Sequence, residues 1–287
     1  MLNRNLAVFI AAAEAKSVTK AAEKLHITQP AVSNAIAKLE EIFDVRLFFR
    51  DRRKESFLTP AGEEILRLAL QMRRLVDQMK DVAQKEKQCL TGTLRIATIT
   101  ALVAPLLSPL MRRFSETYPG VHFEIIESTP SGVFESLRNH TADLALTCEP
   151  FHGFAHRVLC RDRLVALQSS SQENKIVNLF EPLERLVLNR SALETLRDFA
   201  PASQWPDFSE ALLVQTAESA VQLVKDGFGT GVISEITARP YLKDLTLCAM
   251  HPDVSFEIGV VHGSEENLTA AARAFLSMLD SETKHFG

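Results

Sequence analysis

A chain of 287 residues is too long for one ordinary hydrophobic core and suits two, since domains usually hold about 100–200 residues. Its composition, 46% hydrophobic and 24% charged residues, excludes a fibrous repeat, a disordered chain and a small disulfide scaffold. The net charge of −4 conceals two regions: residues 1–90 hold 16 basic against 12 acidic residues, and residues 91–287 hold 16 against 24. A basic N-terminal region and an acidic C-terminal region indicate two modules with different partners.

The amino terminus and the cysteines favour a cytoplasmic protein. Arg4 and the LAVFIAAAEA that follows imitate a short secretory signal, but the apolar residues recur at helical spacing and continue into a second periodic segment. No apolar run reaches the about 18 residues of a membrane span, so we expect no membrane partner. The four cysteines form no CxxC pair and no zinc-ligand spacing, so we expect free thiols and neither a metal nor a cofactor.

The first elements in the chain are predicted to form a helix-turn-helix. A first helix covers residues 2–15, and a second begins after Ser17, which is a good N-cap residue. A third begins after Thr28, with Pro30 in its first turn, where the missing N–H costs nothing. An arbitrary helical hairpin is the alternative interpretation, and periodicity alone does not exclude it.

The outer face of the third helix favours DNA binding. Its polar side chains are mostly short and cluster at the N-terminal end: Thr28, Gln29, Ser33, Asn34 and Lys38. Amide and hydroxyl groups of this kind can read base edges in the major groove, while the backbone N–H groups of a helix N-terminus favour phosphate. The opposite stripe is predicted to be buried: Ala31, Val32, Ala35, Ile36 and Leu39.

A basic wing is predicted next, in the stretch VRLFFRDRRKESFLTPAG. Apolar segments flank a run in which a single acid, Asp51, opposes five basic residues: Arg46, Arg50, Arg52, Arg53 and Lys54. This pattern suggests a hairpin with a charged tip. Beside a helix-turn-helix such a hairpin would grip phosphate, so DNA affinity should fall steeply with salt.

A long helix is predicted to open at Thr59 and Pro60, as cap and first helical position. Its apolar residues alternate in steps of three and four, which makes a narrow heptad seam: Ile65, Leu68, Met72, Leu75, Met79 and Val82. A core-facing helix would carry a broader stripe, so we favour a coiled-coil dimer over that alternative.

From Gly92 onward, strands alternate with helices, which predicts an α/β domain with largely parallel sheets. The predicted strands are GTLRIATI, VHFEIIES, ADLALTC, LVALQS, RLVLN, LLVQT, GTGVIS and FEIGVVH. No GxGxxG, P-loop lysine, GxSxG or HExxH motif is present, so nothing in this region predicts catalysis.

The order of these motifs resembles the LysR-type transcriptional regulators over the whole chain. The segments that carry the resemblance are TQPAVSNAIAKLEEIF, RLFFR, LTPAGEEIL and GTLRIA, with looser matches at YPGVHFEI, ADLAL and VKDGFGTGVIS. The resemblance implies a mostly α winged helix-turn-helix followed by an α/β effector domain of two subdomains, like a periplasmic binding protein. It implies no enzyme activity.

The resemblance also implies a division of the chain and its partners. Residues 1–59 would form the DNA-binding domain, residues 60–91 the dimerisation helix and residues 92–287 the effector-binding domain. Subdomain one would be about 92–161 plus 265–287, and subdomain two about 162–264. The implied partners are double-stranded promoter DNA, a small-molecule effector, further copies of the chain as a homodimer or homotetramer, and RNA polymerase.

Carried over by position, the resemblance assigns the DNA contacts. The recognition-helix positions are Thr28, Gln29, Pro30, Ser33, Asn34 and Lys38, and the supporting positions are Ser17 and Thr19. Arg50 matches the arginine that follows the Leu-Phe pair. The stretch from Arg50 to Thr59 is one residue longer than the common family spacing, so the wing-tip arginine is either Arg52 or Arg53.

The effector site is predicted from the rule that ligands bind beyond the carboxyl ends of strands in an open α/β fold. That rule selects Thr98, Thr100, Ala101, Leu102, Thr129, Pro130, Thr147 and Cys148 from subdomain one, and Asn189 and Thr216 from subdomain two. In the family, Thr100 and Thr129 match inducer-contacting positions best. Hydroxyl groups and helix N-termini favour a small carboxylate or other polar anion, with Arg190 as a possible positive charge.

Two alternatives stay open at this point. The same DNA module could be controlled by thiol oxidation at Cys148 and Cys160, which are the closest pair in sequence. A metabolite-transforming enzyme is the more distant alternative, because the sequence shows no set of nucleophile and base and no cofactor motif.

Overall fold

The computed structural model describes residues 2–49, 57–85, 90–169, 176–181, 183, 185–199 and 208–282. The chain divides into two compact units, Met1–Glu86 and Lys87–Gly287. Each unit has hydrophobic clusters of its own.

The first unit is built from four helices: α1 (Leu2–Ala15), α2 (Val18–Lys24), α3 (Gln29–Phe43) and α4 (Pro60–Lys85). The predicted caps are confirmed. The Ser17 hydroxyl oxygen accepts a hydrogen bond from the Lys20 N–H, and the Thr28 hydroxyl oxygen accepts one from the Ala31 N–H, both at 3.4 Å. Each cap satisfies a backbone donor that the first turn of its helix leaves unpaired.

The buried stripe of α3 packs on α1 and α2. Val32, Ala35, Ile36 and Leu39 are buried as predicted, whereas Ala31 is exposed. The stripe follows the i, i+3, i+4, i+7 spacing from Val32, and Ala31 lies one residue outside it. The prediction for Ala31 was therefore wrong, and this residue belongs to the outer face of the helix.

The wing has a hairpin base where the sequence predicts one. Phe48 forms an antiparallel bridge with Leu58, and the Phe49 N–H donates to the Phe57 carbonyl at 2.9 Å. The predicted tip (Arg50, Arg52, Arg53 and Lys54) lies outside the described residues. Glu40 fastens this hairpin to α3, because its carboxylate accepts hydrogen bonds from the Leu47 N–H and from Arg46, both at 2.8 Å.

Helix α4 begins against the wing. The Thr59 hydroxyl donates to the Arg46 carbonyl at 2.6 Å, and its oxygen accepts from the Gly62 N–H at 3.0 Å, so Thr59 caps the helix as predicted. A Cβ atom at Gly62 would lie 2.1 Å from the Leu47 carbonyl oxygen. Only glycine permits this close approach of helix and strand.

Helix α4 has two apolar faces. One face packs on the core of the first unit and consists of Ile65, Leu66, Ala69 and Leu70. The other is exposed and consists of Leu68 (45% exposed), Met72 (45%), Leu75 (54%) and Met79 (68%). Ile65, which the sequence analysis placed in the seam, therefore packs inside the unit. The side chain of Val82 lies outside the described part of the chain.

The second unit alternates strands and helices. Its strands are β1 (Gly92–Ile99), β2 (Val121–Ser128), β3 (Leu144–Cys148), β4 (Ala155–Ser169), β5 (Ile176–Asn178), β6 (Leu186–Asn189), β7 (Leu212–Val214), β8 (Thr230–Ser234), β9 (Leu245–His251) and β10 (Ser255–His262). Its helices are α5 (Thr100–Leu102), which continues through a π-helical turn (Val103–Leu107) into α6 (Ser108–Thr117), then α7 (Pro130–Arg138), α8 (Arg190–Phe199), α9 (Ala217–Lys225), α10 (Glu235–Ala238) and α11 (Ala270–Glu282). Among the described residues, short 3-10 turns also occur at Arg239–Tyr241 and Glu265–Asn267.

The sheet is mixed, in the order β2-β1-β3-β10-β4-β8-β6-β7, with β9 also paired to β4 and β5 paired to β9. Strands β2, β1 and β3 are parallel, and so are β8, β6 and β7. Strand β10 runs antiparallel to both β3 and β4, and β4 runs antiparallel to β8 and β9. The prediction of largely parallel sheets holds within each half and fails at the strands that join them.

Strand β4 joins two subdomains. Its first part, up to Arg163, pairs with β10, and its second part, from Leu164, pairs with β8 and β9. Strand β10 pairs with β3 of subdomain one, although the sequence analysis assigned residues 255–262 to subdomain two. The pairing corrects that boundary, because the chain returns to the first subdomain between β9 and β10.

Candidate DNA interface and effector cleft

The outer face of α3 carries the polar side chains that the sequence selects for DNA. Gln29, Pro30, Ser33, Asn34 and Lys38 are all exposed, as are Thr28 at the cap and Thr19 on α2. Ser17 is half-buried. The cap bonds use the oxygens of Ser17 and Thr28 as acceptors, so their O–H groups are still able to donate to a phosphate oxygen. Such a face can offer amide and hydroxyl groups to base edges while the helix N-terminus faces the backbone.

A small inner cavity of about 30 Å³ lies between the two subdomains of the second unit. Ala101, Leu102, Cys148 and Asn189 line it, as the strand-end rule predicts. Most of the remaining wall is apolar, with Ile99, Leu164, Ala192, Ala217, Phe256 and Ile258. The cavity therefore has room for a small apolar group of a ligand, but not for a whole ligand.

Six predicted effector residues do not line this cavity: Pro130, which lines a second cavity, and five threonines. Thr98 is buried and its hydroxyl donates to the Ile99 carbonyl, and Thr147 is buried with no partner for its hydroxyl. Thr216 caps α9, because its hydroxyl oxygen accepts from the Ser219 N–H at 3.2 Å. Thr100 starts α5, and Thr129 precedes α7 with its hydroxyl 3.1 Å from that of Ser131. A threonine at the end of a strand can therefore be buried in the core or cap the next helix, and its position alone does not show that it contacts a ligand.

The inner cavity also contains polar residues that the sequence analysis missed: Asp162, Ser191, Thr195, Ser234 and Thr237. Asp162 is buried and accepts hydrogen bonds from the Ser234 hydroxyl at 2.5 Å and from the Ile236 N–H at 3.2 Å. The signal for Asp162 was a lone carboxylate between Arg161 and Arg163, just before LVALQS, and recognising it requires the full extent of β4.

An outer cavity of about 320 Å³ adjoins the inner one, since Cys148 lines both. Its wall includes Pro130, one of the predicted residues. Its charged or ionisable residues are Glu149, His152, Glu194, Arg197 and Asp198. Burial raises the pKa of the Asp198 carboxyl, His152 opposes that rise, and the negative Glu194 adds to it. Arg190 is exposed and lines neither cavity, so its expected role is not supported.

Polar contacts between the described residues join the two subdomains. The N–H and the hydroxyl of Ser131 on α7 both bind the Glu194 carboxylate on α8, at 3.2 and 3.1 Å. The Cys148 thiol lies 3.8 Å from the Thr195 hydroxyl, and the Thr237 hydroxyl donates to the Ala101 carbonyl at 3.4 Å. These contacts join β3, α5 and α7 of one subdomain to α8 and α10 of the other.

The geometry of the cysteines does not support a redox pair. Cys148 and Cys160 both pair with Ile258, from opposite sides of β10. Two inter-strand spacings separate their Cα atoms by about 10 Å. A disulfide requires about 4.4–6.8 Å, so a bridge would require the sheet to break. Burial raises the pKa of the Cys148 thiol to about 11 and also raises the pKa of the Cys160 thiol.

Native Cys148 is therefore expected to react slowly with iodoacetamide at pH 8. A thiol of pKa about 11 is about 0.1% thiolate at that pH, against about a quarter for an unperturbed cysteine. Alkylation of Cys148, followed by peptide mass spectrometry, should be about 100-fold slower in the folded chain than in the same chain unfolded by urea. Equal rates, or a peptide that joins Cys148 to Cys160 after peroxide treatment, would revive the redox alternative.

Within the described residues, no group of three or more His, Cys, Asp and Glu side chains could hold a metal ion. The same part of the chain contains no helix long and apolar enough to cross a membrane.

Comparisons with known proteins agree with this architecture. A family model described as a bacterial regulatory helix-turn-helix protein of the lysR family matches residues 3–63, and one described as the LysR substrate binding domain matches residues 87–284. The uncharacterised HTH-type transcriptional regulator YoaU of Bacillus subtilis is 31% identical over 284 residues, which covers 97% of this chain and 98% of that protein. A probable HTH-type transcriptional regulator, LrrA of Synechococcus elongatus, is 28% identical and covers 96% of this chain and 95% of that protein.

Two solved structures have the same fold. A full-length OxyR variant from Pseudomonas aeruginosa aligns with a TM-score of 0.67 at 18% identity, covering 99% of this chain and 95% of that one. CbnR, described as a LysR family transcriptional regulator, aligns with a TM-score of 0.66 at 21% identity, covering 99% of both chains. The relatives and the matched domains are transcriptional regulators and not enzymes. This chain belongs to the LysR family of DNA-binding transcriptional regulators and carries the family's substrate-binding domain.

Proposed function

We propose that this regulator binds a promoter through α3 and the wing, and that a small molecule in the cleft changes its operator contacts. The exposed polar face of α3, opposite a fully apolar stripe, is the observation that carries the DNA half of the proposal. The proposed base-reading residues are Gln29, Ser33 and Asn34. Thr28, Lys38, Ser17, Thr19 and the wing arginines would contact the backbone.

The proposed assembly is a dimer through α4, or a tetramer formed as a dimer of dimers. Four exposed apolar side chains on one face of a 26-residue helix support it, because a contiguous exposed apolar stripe of this kind marks a protein–protein interface. The proposal also includes contact with RNA polymerase at the promoter. It places the protein in the cytoplasm. Residues 1–59, 60–91 and 92–287 are the corresponding functional divisions.

We propose that the effector is a small carboxylate or other polar anion with a small apolar group. The described lining of the inner cavity includes no lysine, arginine or histidine and does include Asp162, so an anionic group would lie in the outer cavity. Arg197 and His152 line that cavity together with the carboxylates of Glu149, Glu194 and Asp198. An anion there would depend on Arg197, His152 and the first turn of α7, which already binds the Glu194 carboxylate. A small apolar group of the effector would extend from there into the inner cavity.

A thermal-shift panel of carboxylic acids tests the class. A carboxylate that binds only the folded protein should raise the unfolding temperature of the full-length chain, with about 2.7 kcal/mol of stabilisation at 100 times its Kd. The neutral amide of the same acid is the matched control and should shift the temperature much less. Amides as effective as their acids, or no stabilising acid in the panel, would reject an anionic effector.

A further inference from the structure

The contact between Glu194 and Ser131 joins the two subdomains at one point of the cleft. Glu194 lies on α8, whose buried residues Ala192, Leu193 and Leu196 pack into the core. Its carboxylate reaches across the cleft and accepts hydrogen bonds from both the N–H and the hydroxyl of Ser131. Hydrogen bonds to an ionised acceptor are about twice as strong as neutral ones, and the positive end of the α7 dipole adds to them.

This contact supplies a hydrogen-bond acceptor that the residues at the start of α7 do not provide. Thr129 is the N-cap residue of α7, but its side chain makes no capping hydrogen bond to the helix. The Ser131 N–H is one of the first-turn donors that need an external partner. Its partner comes from the other subdomain, so opening of the cleft would leave that donor without Glu194.

The neighbouring residue on α8 makes the second contact in the same region. Thr195 lies beside the Cys148 thiol at the end of β3, and Glu194 and Thr195 are consecutive. Asp198, one turn further along α8, lines the same outer cavity as Ser131. One edge of α8 therefore faces α7 and β3 together.

We propose that Glu194 is an intramolecular clasp that holds the two subdomains closed in the absence of effector. The outer cavity is lined by both halves of the clasp, Ser131 and Glu194, so an occupant of that cavity contacts it directly. The part of this inference that concerns regulation rests on the proposed anionic effector. Effector and Glu194 would compete for the Ser131 N–H, and occupancy would release the clasp.

Hydrogen exchange of the full-length protein without effector tests the clasp. Glu194→Ala should speed exchange of the Ser131 amide about tenfold, because that amide loses a charged acceptor. It should also speed exchange of the Ile236 and Thr237 amides on α10, beside the inner cavity, because an opened cleft admits water there. Glu194→Gln keeps the size of the side chain and should produce a smaller change of the same pattern.

Glu218→Gln is the matched control, since Glu218 is an exposed glutamate in the first turn of α9 in the same subdomain. It should leave both groups of amides unchanged. Faster exchange at Ser131 alone would make Glu194 a local cap and overturn the clasp, and unchanged exchange at Ser131 would overturn it too. The measurement needs no effector, so its failure leaves the proposed effector class untouched, and failure of the carboxylate panel leaves the clasp untouched.

Discussion

Replacing Met72 or Leu75 with glutamate is expected to convert the regulator to monomers and to lower its operator affinity about 10²–10⁴-fold. The two side chains are 45% and 54% exposed in the single chain and lie on the α4 face that makes no contact with the core of its own unit. A symmetric seam would bring each new carboxylate close to its copy, where desolvation and like-charge repulsion oppose pairing. Loss of the dimer also removes the second half-site contact, which acts at a high effective concentration.

Sedimentation velocity measures the assembly, and binding to an operator fragment measures the affinity. The control is Gln78→Glu, which adds the same charge to the same helix about 90° from the centre of the exposed stripe. Both variants should keep the fold of the first unit, because its core uses Leu66, Ala69 and Leu70 on the other apolar face. A Met72→Glu protein that sediments like the wild type would reject the seam.

The local elements of this fold could be predicted from the sequence because their signals are local. Ser17, Thr28 and Thr59 predict helix starts because their side-chain oxygens can cap a first turn. In the structure, each of these oxygens accepts a hydrogen bond from a backbone N–H of the first turn. Strands such as β1 and β8 are mostly buried and contain aliphatic and β-branched residues between turn residues. The sequence did not distinguish the two apolar faces of α4. Ile65 fits the heptad spacing of the exposed seam, but it also fits the spacing of the residues that face the core.

Strand β9, the first part of β4 and the pairing between the subdomains could not be predicted in the same way. Strand β9 alternates between buried and exposed residues, and the first part of β4 is largely polar, so neither gives a continuous apolar run. Asp162 reaches the cleft because β4 passes between the subdomains, which is a property of long-range pairing. Glu194 meets Ser131 across 63 residues of sequence, and no spacing rule links them.

The strand-end rule therefore predicted where the cleft lies more accurately than it predicted which groups in the cleft are free to bind a ligand. Ala101, Leu102 and Asn189 line the inner cavity, but Asn189 uses its side-chain oxygen to accept from the Ala192 N–H at the start of α8. The helix N-termini that were expected to receive an anion are partly occupied by the chain's own groups, with Asp162 at α10 and Glu194 at α7. An effector must displace such a group or bind beside it.

Gln29→Ala is expected to raise the Kd for the specific operator about 5- to 150-fold and to leave the Kd for unrelated DNA nearly unchanged. Gln29 is exposed in the first turn of α3, where a side-chain amide can donate to and accept from one base edge. Such a contact contributes about 1–3 kcal/mol of discrimination and carries no net charge, so the dependence of affinity on salt should keep its slope.

Arg50→Ala provides the contrast. Loss of a phosphate contact should weaken binding to specific and unrelated DNA alike, and should reduce the slope of log affinity against log salt concentration by about one. Gln71→Ala is the matched control: it makes the same side-chain change on α4, outside both apolar faces. Fluorescence anisotropy at several salt concentrations separates the cases. If Gln29→Ala weakened specific and unrelated DNA equally, the glutamine would be a backbone contact, and base reading by α3 would have to rest on Ser33 and Asn34.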